Sequence, residues 1–335
     1  MTGLAPIEII GGGLAGLSLG LALRRAGVPV RLHEAGGYPR HRVCGEFITG
    51  LSPGTTDRLA LGPLLAGAQR HSEVAWFINR QPPRIQRLPS PALGLSRHRL
   101  DARLAAEFRA AGGELRTHSR VTDLAPDPGR VFATGRNRTP SSWLGLKVHV
   151  RSFALERGLE LHLGAEAYVG LAAVEEGAVN ICGLFRQRDA RGRGSGMLLA
   201  CLRDAGLAGL AERLAAARID EDSFSAVAAL GFDRRVVPRD RIRLGDACAM
   251  VPPFTGNGMA MAFQGAELAL DPLLAFSRGE LDWDGACRAV HGALRRRFRL
   301  RLASASALHP FLLQPGCRSW LAALNRFRLI PFAPL

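Results

Sequence analysis

A glycine-rich turn near the N-terminus is the segment best suited to bind a ligand. Residues 11–16 read Gly-Gly-Gly-Leu-Ala-Gly and satisfy the pattern G-x-G-x-x-G. Glycines at these positions permit a tight turn, let backbone amides approach a phosphate group and allow a helix to pack closely on a strand. A helix that begins there presents unpaired N–H groups and the positive end of its dipole to an anion. We therefore predict that a pyrophosphate contacts five residues, namely Gly11, Gly13, Leu14, Ala15 and Gly16.

The elements around this turn follow the order of a βαβ dinucleotide-binding unit. The strand-like run 7–10 precedes the glycines, an apolar helix follows them as far as Gly27, and 28–33 predicts a second strand. Glu34 ends that strand, eighteen residues after Gly16, close to the spacing expected for the acid that binds a ribose hydroxyl. An acidic residue there indicates an adenosine with a free 2′-hydroxyl, as in FAD or NAD. A glycine-rich turn that binds no ligand is the alternative.

Four side chains are candidates for the chemistry itself. Lys147 and His149 are two residues apart and share one face if their segment is a strand. Lys147 is the single lysine among 44 lysines and arginines, and lysine offers a compact charge that can deprotonate, whereas arginine does not. A chance codon for Lys147 and a core position for His149 are the alternatives. Cys44 and Tyr168 complete the predicted catalytic set, with an inert buried thiol and a core tyrosine as their alternatives.

A second glycine motif lies in the C-terminal half of the chain. Residues 241–250 run from a strand into the pair Gly245-Asp246, and 251–259 continue into an apolar helix. An ordinary turn with a helix cap would explain the pattern, but the segment also resembles the second flavin fingerprint of the para-hydroxybenzoate hydroxylase-like flavoproteins. The resemblance implies FAD as the cofactor and Asp246 as the residue that binds its ribityl chain. It also implies that three residues lie beside the flavin pyrimidine, namely Gly256, Asn257 and Gly258.

Three shorter segments resemble the geranylgeranyl-reductase and flavin halogenase-like branch of that superfamily. Residues 39–45 are similar to its P-R-x-x-x-C-G stretch, 95–101 to its S-R…L-D segment and 131–136 to its A-T-G strand, all in family order. The chain is therefore identified as a member of this branch, which implies an FAD-dependent oxidoreductase. The resemblance adds five predicted cofactor contacts, namely Arg40, Cys44, Gly45, Arg97 and Val121.

The chain departs from the family pattern in two places. Only a brief loop separates Val121 from Val131, where relatives carry a β-meander, so we interpret the chain as a shortened member. The W-x-W-x-I-P motif of the halogenases is absent, and only Tyr168 remains of the reductase motif Y-x-W-x-F-P. The wall of a prenyl-sized pocket is therefore missing.

The motif order predicts an α/β protein with a Rossmann-type FAD-binding domain of the glutathione-reductase-like βαβ kind, an inserted antiparallel-sheet substrate domain and a helical C-terminus. The FAD-binding domain is predicted from three segments, 1–60, 95–145 and 233–285. The substrate domain is predicted from 61–94 and 146–232, and 286–335 forms a basic helical C-terminal segment.

Local patterns within the predicted substrate domain indicate its elements. Alternating runs predict antiparallel strands at 159–163 and 178–182, and 175–177 predicts the turn of a hairpin. Alanine and leucine at helical spacing predict a single helix over 196–218.

The composition limits the class of protein and its compartment. The 335 residues carry a formal net charge of +15, but an excess of arginine over lysine is typical of a GC-rich genome. No basic run alternates with stacking aromatic residues, so we do not expect nucleic-acid binding. Six scattered cysteines without a C-x-x-C pair indicate a reducing cytoplasm and no metal site. No apolar run has the length of a membrane span, so we expect a cytoplasmic protein, with a position at the membrane periphery as the alternative.

The C-terminal segment has an unusual charge pattern. After Asp284 no acidic residue follows, whereas nine arginines do, interleaved with apolar and aromatic side chains. This mixture suits either an anionic membrane surface or an acidic carrier protein that presents the substrate. A helix packed on the FAD-binding domain with its arginines in solvent is the structural alternative.

Three functions are compatible with these observations. The first is a monooxygenase-type or desaturating FAD enzyme of secondary metabolism that acts on a small hydrophobic metabolite, polyketide-like or carrier-bound. The second is an FAD-dependent C=C reductase of the geranylgeranyl-reductase type. The third is a non-catalytic flavin-binding or electron-transfer protein. Because no second Rossmann motif is present, NAD(P)H would bind only transiently, or a partner would supply the electrons.

Overall fold

The computed structural model describes residues 3–78, 82–136, 141–186, 192–230, 239–250 and 256–313, with side chains through 307. In these residues the strands, in chain order, are β1 (Ile7–Ile10), β2 (Val30–His33), β3 (Phe47–Ile48), β4 (Gln69–Ile78), β5 (Arg84–Gly94), β6 (Glu114–Arg116), β7 (Arg130–Phe132), β8 (Trp143–Arg151), β9 (Leu159–Gly164), β10 (Ala167–Ala173), β11 (Val179–Arg186), β12 (Arg218–Val227) and β13 (Ile242–Arg243). The helices are α1 (Leu14–Arg25), α2 (Pro53–Arg58), α3 (Arg97–Ala110), α4 (Ser195–Asp204), α5 (Ala208–Ala215), α6 (Gly258–Ser277) and α7 (Trp283–Leu313).

A parallel sheet of five strands contains the predicted βαβ unit. Its strand order is β13-β7-β1-β2-β6, and β1 pairs with β2 from Ile7↔Val30 to Ile10↔His33. Helix α1 connects these two strands and packs against α3 and α6, so that its apolar residues are buried over almost the whole helix. Two parallel neighbouring strands joined by a helix form the crossover connection of a βαβ unit. The predicted Rossmann-type unit is confirmed.

A mixed sheet of eight strands forms the second part of the molecule, in the order β12-β8-β11-β10-β9-β4-β5-β3. Neighbouring strands are antiparallel except β4 and β9, which are parallel. The β10–β11 hairpin turns at Glu175–Gly177 as predicted. Alternate residues of β8 divide between the two faces of the sheet, because successive side chains of a strand point in opposite directions. Leu146 and Val148 pack under α4 and α5, whereas Lys147 and His149 lie on the other face, toward the parallel sheet.

Two predicted elements differ from the observed ones. The single helix expected over 196–218 is wrong: α4 ends before Gly206, which has a φ of +76° and lies between α4 and α5. A left-handed residue interrupts a helix, and glycine adopts this conformation at the least cost. Residues Phe47–Ile48, placed by the sequence in the FAD-binding segments, form β3 and pair with β5 at the edge of the larger sheet.

The C-terminal helix covers the parallel-sheet part of the molecule. Helix α7 packs along α6 through a row of buried side chains, and residues 314–335 of the predicted C-terminal segment lie outside the described part of the chain. The buried row consists of Ala286, Cys287, Val290, Leu294, Phe298 and Ala305. Among the described helices, none has the length and apolar character that crossing a bilayer requires.

Candidate active site

The glycine turn leaves an open space at the N-terminus of α1. Gly11 has a φ of +114°, and a Cβ atom there would lie 2.1 Å from the carbonyl oxygen of Ala133. A Cβ on Gly16 would lie 2.0 Å from the oxygen of Gly11, so both glycines are required by the turn itself. Gly13 differs, because the nearest atom to a Cβ there is the Arg97 Nη2 at 4.0 Å. The space above Gly13 and the first N–H groups of α1 therefore face a site that an anion can enter.

Glu34 lies beside this turn and is held by the protein's own donors. Its Oε2 accepts from the N–H of Gly12 (3.0 Å), and its Oε1 accepts from the N–H of Gly36 and from Arg40 (both 2.9 Å). Burial would raise the pKa of this carboxyl, but the Gly36 hydrogen bond and the charges of Arg42 and Arg40 outweigh it and lower the pKa. A ribose hydroxyl can reach Glu34 by replacing Arg40, which is the more exposed partner. Two predicted cofactor contacts, Glu34 and Arg40, are thus brought together.

The loop that follows β6 closes the far side of Glu34. The N–H of Ser119 donates to the Glu34 carbonyl oxygen at 2.9 Å. Val121, a predicted cofactor contact, lies two residues further along and is half-buried. The structure therefore places the loop that leads to Val121 beside the end of β2.

Arg97 brings a fixed positive charge to the same site. Its Nε and Nη2 donate to the two carboxylate oxygens of Asp101 at 2.7 and 2.8 Å, a bidentate pair within the first turns of α3. Burial would lower the pKa of Arg97, but the charge of Asp101 raises it, so the guanidinium stays protonated. Arg42 also donates to Asp101 at 3.0 Å. Because Arg97 is the group nearest to Gly13, it can neutralise a phosphate bound at the turn.

Asp246 enters the site from the second glycine motif. A Cβ on Gly245 would lie 3.4 Å from the Cβ of Ala15, so this turn abuts the N-terminus of α1. The Asp246 side chain is exposed, so its carboxylate is accessible to a ligand. Burial raises the pKa of Asp246, although Arg97 and Arg136 act in the opposite sense. The two motifs therefore converge on one cleft although 230 residues separate them.

The start of α6 lies next to β3. Thr49 donates from its Oγ1 to the Oδ1 of the fully buried Asn257 at 3.3 Å, and its N–H donates to the Gly256 carbonyl at 3.4 Å. Among the described residues, no atom lies within 4 Å of a Cβ placed on Gly258, whereas a Cβ on Gly256 would lie 2.0 Å from the Phe47 ring. Residues 251–255 of the motif lie outside the described part of the chain. The predicted flavin-pyrimidine residues thus lie at a second helix N-terminus, where Gly256 and Asn257 are buried and Gly258 is half-buried.

A buried cluster of charged groups joins the two sheets. The Lys147 Nζ lies 2.9 Å from the Nδ1 of His41 and 3.6 Å from the Oε1 of Glu46. The His149 Nε2 lies 2.5 Å from the Oε2 of Glu46. The rings of His41 and His98 stack at 4.5 Å. Lys147 and Glu46 are fully buried, so ionisable side chains take part in the contact between β8 and the loop after Tyr38.

Burial and mutual charge set the protonation of this cluster. Burial lowers the pKa of Lys147, and Glu46 partly offsets that effect. The pKa of Glu46 is lowered, because the hydrogen bond from His149 and the charge of Lys147 outweigh its burial. Burial and the neighbouring positive charges lower the pKa of His41 to about 4. Glu46 is therefore an anion and His41 is neutral at pH 7.

His41, Glu46 and His149 are also close enough to be considered as metal ligands, since their donor atoms all lie within 4.8 Å of one another. The Lys147 ammonium, however, contacts both His41 and Glu46. A metal ion would have to displace this ammonium, because two cations cannot share the site without strong repulsion. The cation of the cluster is therefore Lys147.

The structure places the other two predicted catalytic residues, Cys44 and Tyr168, differently. Burial raises the pKa of the Cys44 thiol, which accepts from the N–H of Glu46 at 3.4 Å, so Cys44 is a neutral thiol rather than a nucleophilic thiolate. Next to it, a Cβ on Gly45 would lie 2.8 Å from the Phe47 ring. Tyr168 is buried on β10 among apolar side chains such as Leu163 and Leu184.

Sequence reasoning missed Glu46, His41, His98 and Asp101 as site residues. His41, His98 and Asp101 lie inside the quoted family-like segments, and Glu46 directly follows one of them. Only Asp101 has a spacing that indicates its partner, because it lies four residues after Arg97 in a predicted helix. Glu46 meets His149 across 103 residues of chain. The available signal was indirect: a lysine and a histidine on one buried face need an acid, and Glu46 directly follows Cys44-Gly45.

No protein-family model matches the sequence, and no curated protein matches it significantly. Several solved structures, however, match the fold of this chain. PqsL, a probable FAD-dependent monooxygenase from Pseudomonas aeruginosa, is 15% identical, with a TM-score of 0.73 over 95% of this chain and 99% of that one. The flavin-dependent brominase Bmp2 is 17% identical, with a TM-score of 0.73 over 98% and 92%.

A geranylgeranyl bacteriochlorophyll reductase-like protein from Thermoplasma acidophilum is 15% identical, with a TM-score of 0.72 over 93% of this chain and 88% of that one. These three proteins represent the groups that the motifs resemble. The predicted fold class is confirmed: the chain has the fold that these monooxygenase, halogenase and reductase-like proteins share.

Proposed function

We propose that the protein is an FAD-dependent oxidoreductase. The observation that carries this proposal is the convergence of the open N-terminus of α1, Arg97 and Asp246 on one cleft beside the buried Lys147 cluster. An open space over Gly13, the half-buried guanidinium of Arg97 and the accessible carboxylate of Asp246 suit a pyrophosphate followed by a polyhydroxylated chain. The flavoenzymes that share the fold support the same cofactor.

The roles of the chain's residues follow from their positions. The N–H groups of 13–16 and Arg97 would hold the pyrophosphate, Glu34 the ribose and Asp246 the ribityl hydroxyls. A bound flavin supplies the redox chemistry, and the protein supplies position, electrostatics and exclusion of water. Lys147 would stabilise negative charge that develops on the cofactor or the substrate, because a buried cation acts through a low dielectric.

For the reaction itself we propose a monooxygenase-type activity on a small hydrophobic metabolite. Support comes from the apolar residues that flank the Lys147 cluster on the same face of the larger sheet, among them Leu161, Leu163 and Leu184. PqsL, described as a probable FAD-dependent monooxygenase, shares the fold over nearly its whole length. The electrons would come from transiently bound NAD(P)H.

A C=C reductase is the second candidate, and one specific observation favours it. Reduction of a double bond needs a proton as well as a hydride, and the Lys147–Glu46–His149 cluster holds ionisable groups away from water. The reductase-like protein of the same fold is consistent with this chemistry.

Cofactor loading and oxygen consumption separate these activities. The purified protein is incubated with FAD, desalted and scanned for bound flavin; it is then reduced anaerobically and mixed with oxygen, with and without candidate substrates. Substrate-dependent NAD(P)H and O₂ consumption supports the monooxygenase, and substrate reduction without oxygen supports the reductase. Bound FAD with no turnover from any donor would leave a flavin-binding or electron-transfer protein. A protein that stays colourless after incubation with FAD would contradict the whole proposal.

A further inference from the structure

The only lysine of the sequence lies at the centre of a chain of ionisable groups. Lys147 is fully buried, and its Nζ is 2.9 Å from His41 Nδ1. Because His41 is neutral, Nδ1 accepts from the ammonium and the ring carries its proton on Nε2. The other nearby carboxylate or thiol groups are Glu46, Cys44 and Cys182.

Glu46 alone among these groups balances the charge of Lys147. Burial raises the pKa of both the Cys44 and the Cys182 thiol, so neither carries a negative charge. The N–H of Arg97 fixes Glu46 Oε1 at 3.0 Å, and His149 fixes Oε2 at 2.5 Å. Glu46 also has a φ of +56°, a conformation that a non-glycine residue keeps only when its surroundings hold it. The backbone thus directs this carboxylate toward Lys147.

The cluster opens to solvent on one side. Lys147, Glu46 and His149 are buried, whereas His41 and His98 are half-buried and stack on each other. His41, which accepts the hydrogen bond from Lys147, therefore lies on the side of the cluster that reaches water.

We propose that Lys147 is the proton donor of the candidate site, that Glu46 is the positioning residue that holds this proton, and that His41, stacked on His98, connects Lys147 to solvent. The inference rests on the proposed function and adds to it the source of the proton. Lys147 gives one proton to an anion formed in the site and becomes a neutral amine. A proton from solvent then protonates His41 at Nδ1, and this Nδ1 proton passes to the amine of Lys147. His41 thereby returns to its neutral form with the proton on Nε2, so charge and protons balance.

The single lysine makes this proposal directly measurable. Protein labelled with [¹³C,¹⁵N]-lysine gives one side-chain Cε resonance, which reports the protonation of Lys147 as the pH is varied, without FAD. We expect a midpoint below that of an ordinary lysine. In Glu46→Gln the midpoint should fall further, because the only balancing charge is lost, and Glu46→Asp should restore it in part.

The direction in which Glu46→Gln moves the Lys147 midpoint distinguishes a positioning role of Glu46 from a structural one. If Glu46 had only a structural role, Glu46→Gln would loosen the cluster, admit water and raise the Lys147 midpoint toward that of an ordinary lysine. That result would overturn the proposal. Glu160→Gln is the matched control: Glu160 is a buried glutamate 2.8 Å from His162 on the opposite face of the same sheet. It should leave the Lys147 midpoint unchanged.

Hydrogen exchange of the Lys147 ammonium tests the route to solvent. His41→Phe keeps a ring but removes the acceptor, and we expect exchange to slow at least about tenfold. An unchanged rate would overturn the role of His41. Stoichiometric Zn²⁺ binding to the wild type that is lost in His149→Ala would also overturn the proposal, because the cluster would then be a metal site. These readouts need no flavin, so their failure is distinct from a failure of FAD binding.

Discussion

Gly11 and Gly13 belong to the same turn but have different surroundings. The first position is therefore needed for folding and the second for ligand binding. Gly11 is enclosed by backbone, since a Cβ there would lie 2.1 Å from the Ala133 carbonyl oxygen, whereas the surroundings of Gly13 are open. The G-x-G-x-x-G pattern therefore combines a position needed for the turn with a position that leaves room for a ligand.

We expect Gly13→Ala to fold normally and to lose FAD, because its methyl group would enter the space over the N-terminus of α1. The loss of one charge-assisted hydrogen bond to phosphate corresponds to about 1.5–3 kcal/mol, or roughly 10–150-fold in affinity. Gly11→Ala should instead lower the stability of the FAD-free protein, because it combines a positive φ with a backbone clash. Urea unfolding and fluorescence titration with FAD measure both effects; equal stability of the two variants would contradict this assignment.

Asp246 should bind the ribityl chain, and its raised pKa predicts a test in the FAD-free protein. Asp246→Ala should weaken FAD binding by about 1.5–3 kcal/mol, because ribityl hydroxyls lose a charged acceptor. Without FAD, a carboxyl whose pKa is raised in the folded state disfavours folding at neutral pH, and this penalty disappears as the pH falls through the raised pKa. Asp246→Asn should therefore stabilise the FAD-free protein at pH 7, with a gain that shrinks toward pH 4. A gain that is constant with pH would contradict this account.

Lys147→Arg tests the shape of the active-site cation. The ammonium fits between His41 Nδ1 at 2.9 Å and Glu46 Oε1 at 3.6 Å, and the larger planar guanidinium cannot take this position or give up its proton. We expect turnover to fall at least about tenfold, with FAD retention unchanged. Turnover equal to that of the wild type would show that Lys147 has no catalytic role.

At the scale of elements, local patterns were predictable from the sequence and long-range pairs were not. The strand, turn, helix and acid of the βαβ unit lie within about thirty residues, so spacing alone fixes their arrangement. The Glu46–His149 contact depends on how two sheets meet, which no local pattern records. The helix predicted over 196–218 failed because the alanine and leucine periodicity outweighed one glycine, Gly206, that ends α4. Family-like segments located the site, whereas only the fold shows which side chains meet.

A second contact between elements ties the β10–β11 hairpin to the start of α3. Glu175, at the hairpin turn, accepts from the N–H of Ser96 at 2.9 Å and from its hydroxyl, and it is 3.5 Å from Arg99. Ser96 is also the N-cap of α3, since its Oγ accepts from the N–H of Arg99. This contact therefore positions the helix that carries Arg97.

We expect Glu175→Ala to destabilise the protein by about 1–3 kcal/mol, because the buried Ser96 donors lose their acceptor. Glu176→Ala is the control: its carboxylate is largely exposed and, among the described residues, pairs only with Arg99, so it should change the free energy of unfolding by less than about 1 kcal/mol. Chemical denaturation of both variants measures the difference. Equal effects would show that the hairpin does not hold α3 in place.

At the scale of the whole molecule, α7 has two unlike sides. One side packs on α6 through apolar residues, whereas Arg295, Arg296, Arg297 and Arg299 are exposed together with Leu300, which is 68% exposed. The buried row explains why α7 packs on α6, which agrees with the structural alternative of a helix packed on the FAD-binding domain. It does not account for an exposed side that carries positive charge and an apolar residue but no acid after Asp284.

This exposed side of α7 should bind an anionic surface, and salt should weaken that binding. Each arginine near an anionic membrane contributes about 1 kcal/mol, so Arg296→Glu/Arg299→Glu should weaken binding to phosphatidylserine vesicles by at least about thirtyfold at low salt. Arg203→Glu/Arg218→Glu makes the same change in net charge at exposed positions outside α7 and should have little effect. Because salt screens exposed charges beyond about 10 Å at 0.1 M, binding of the wild type should be lost at high salt. An acidic carrier protein, used as a second probe, distinguishes a protein partner from a membrane; undetectable or salt-independent association with both would leave α7 with its packing role alone.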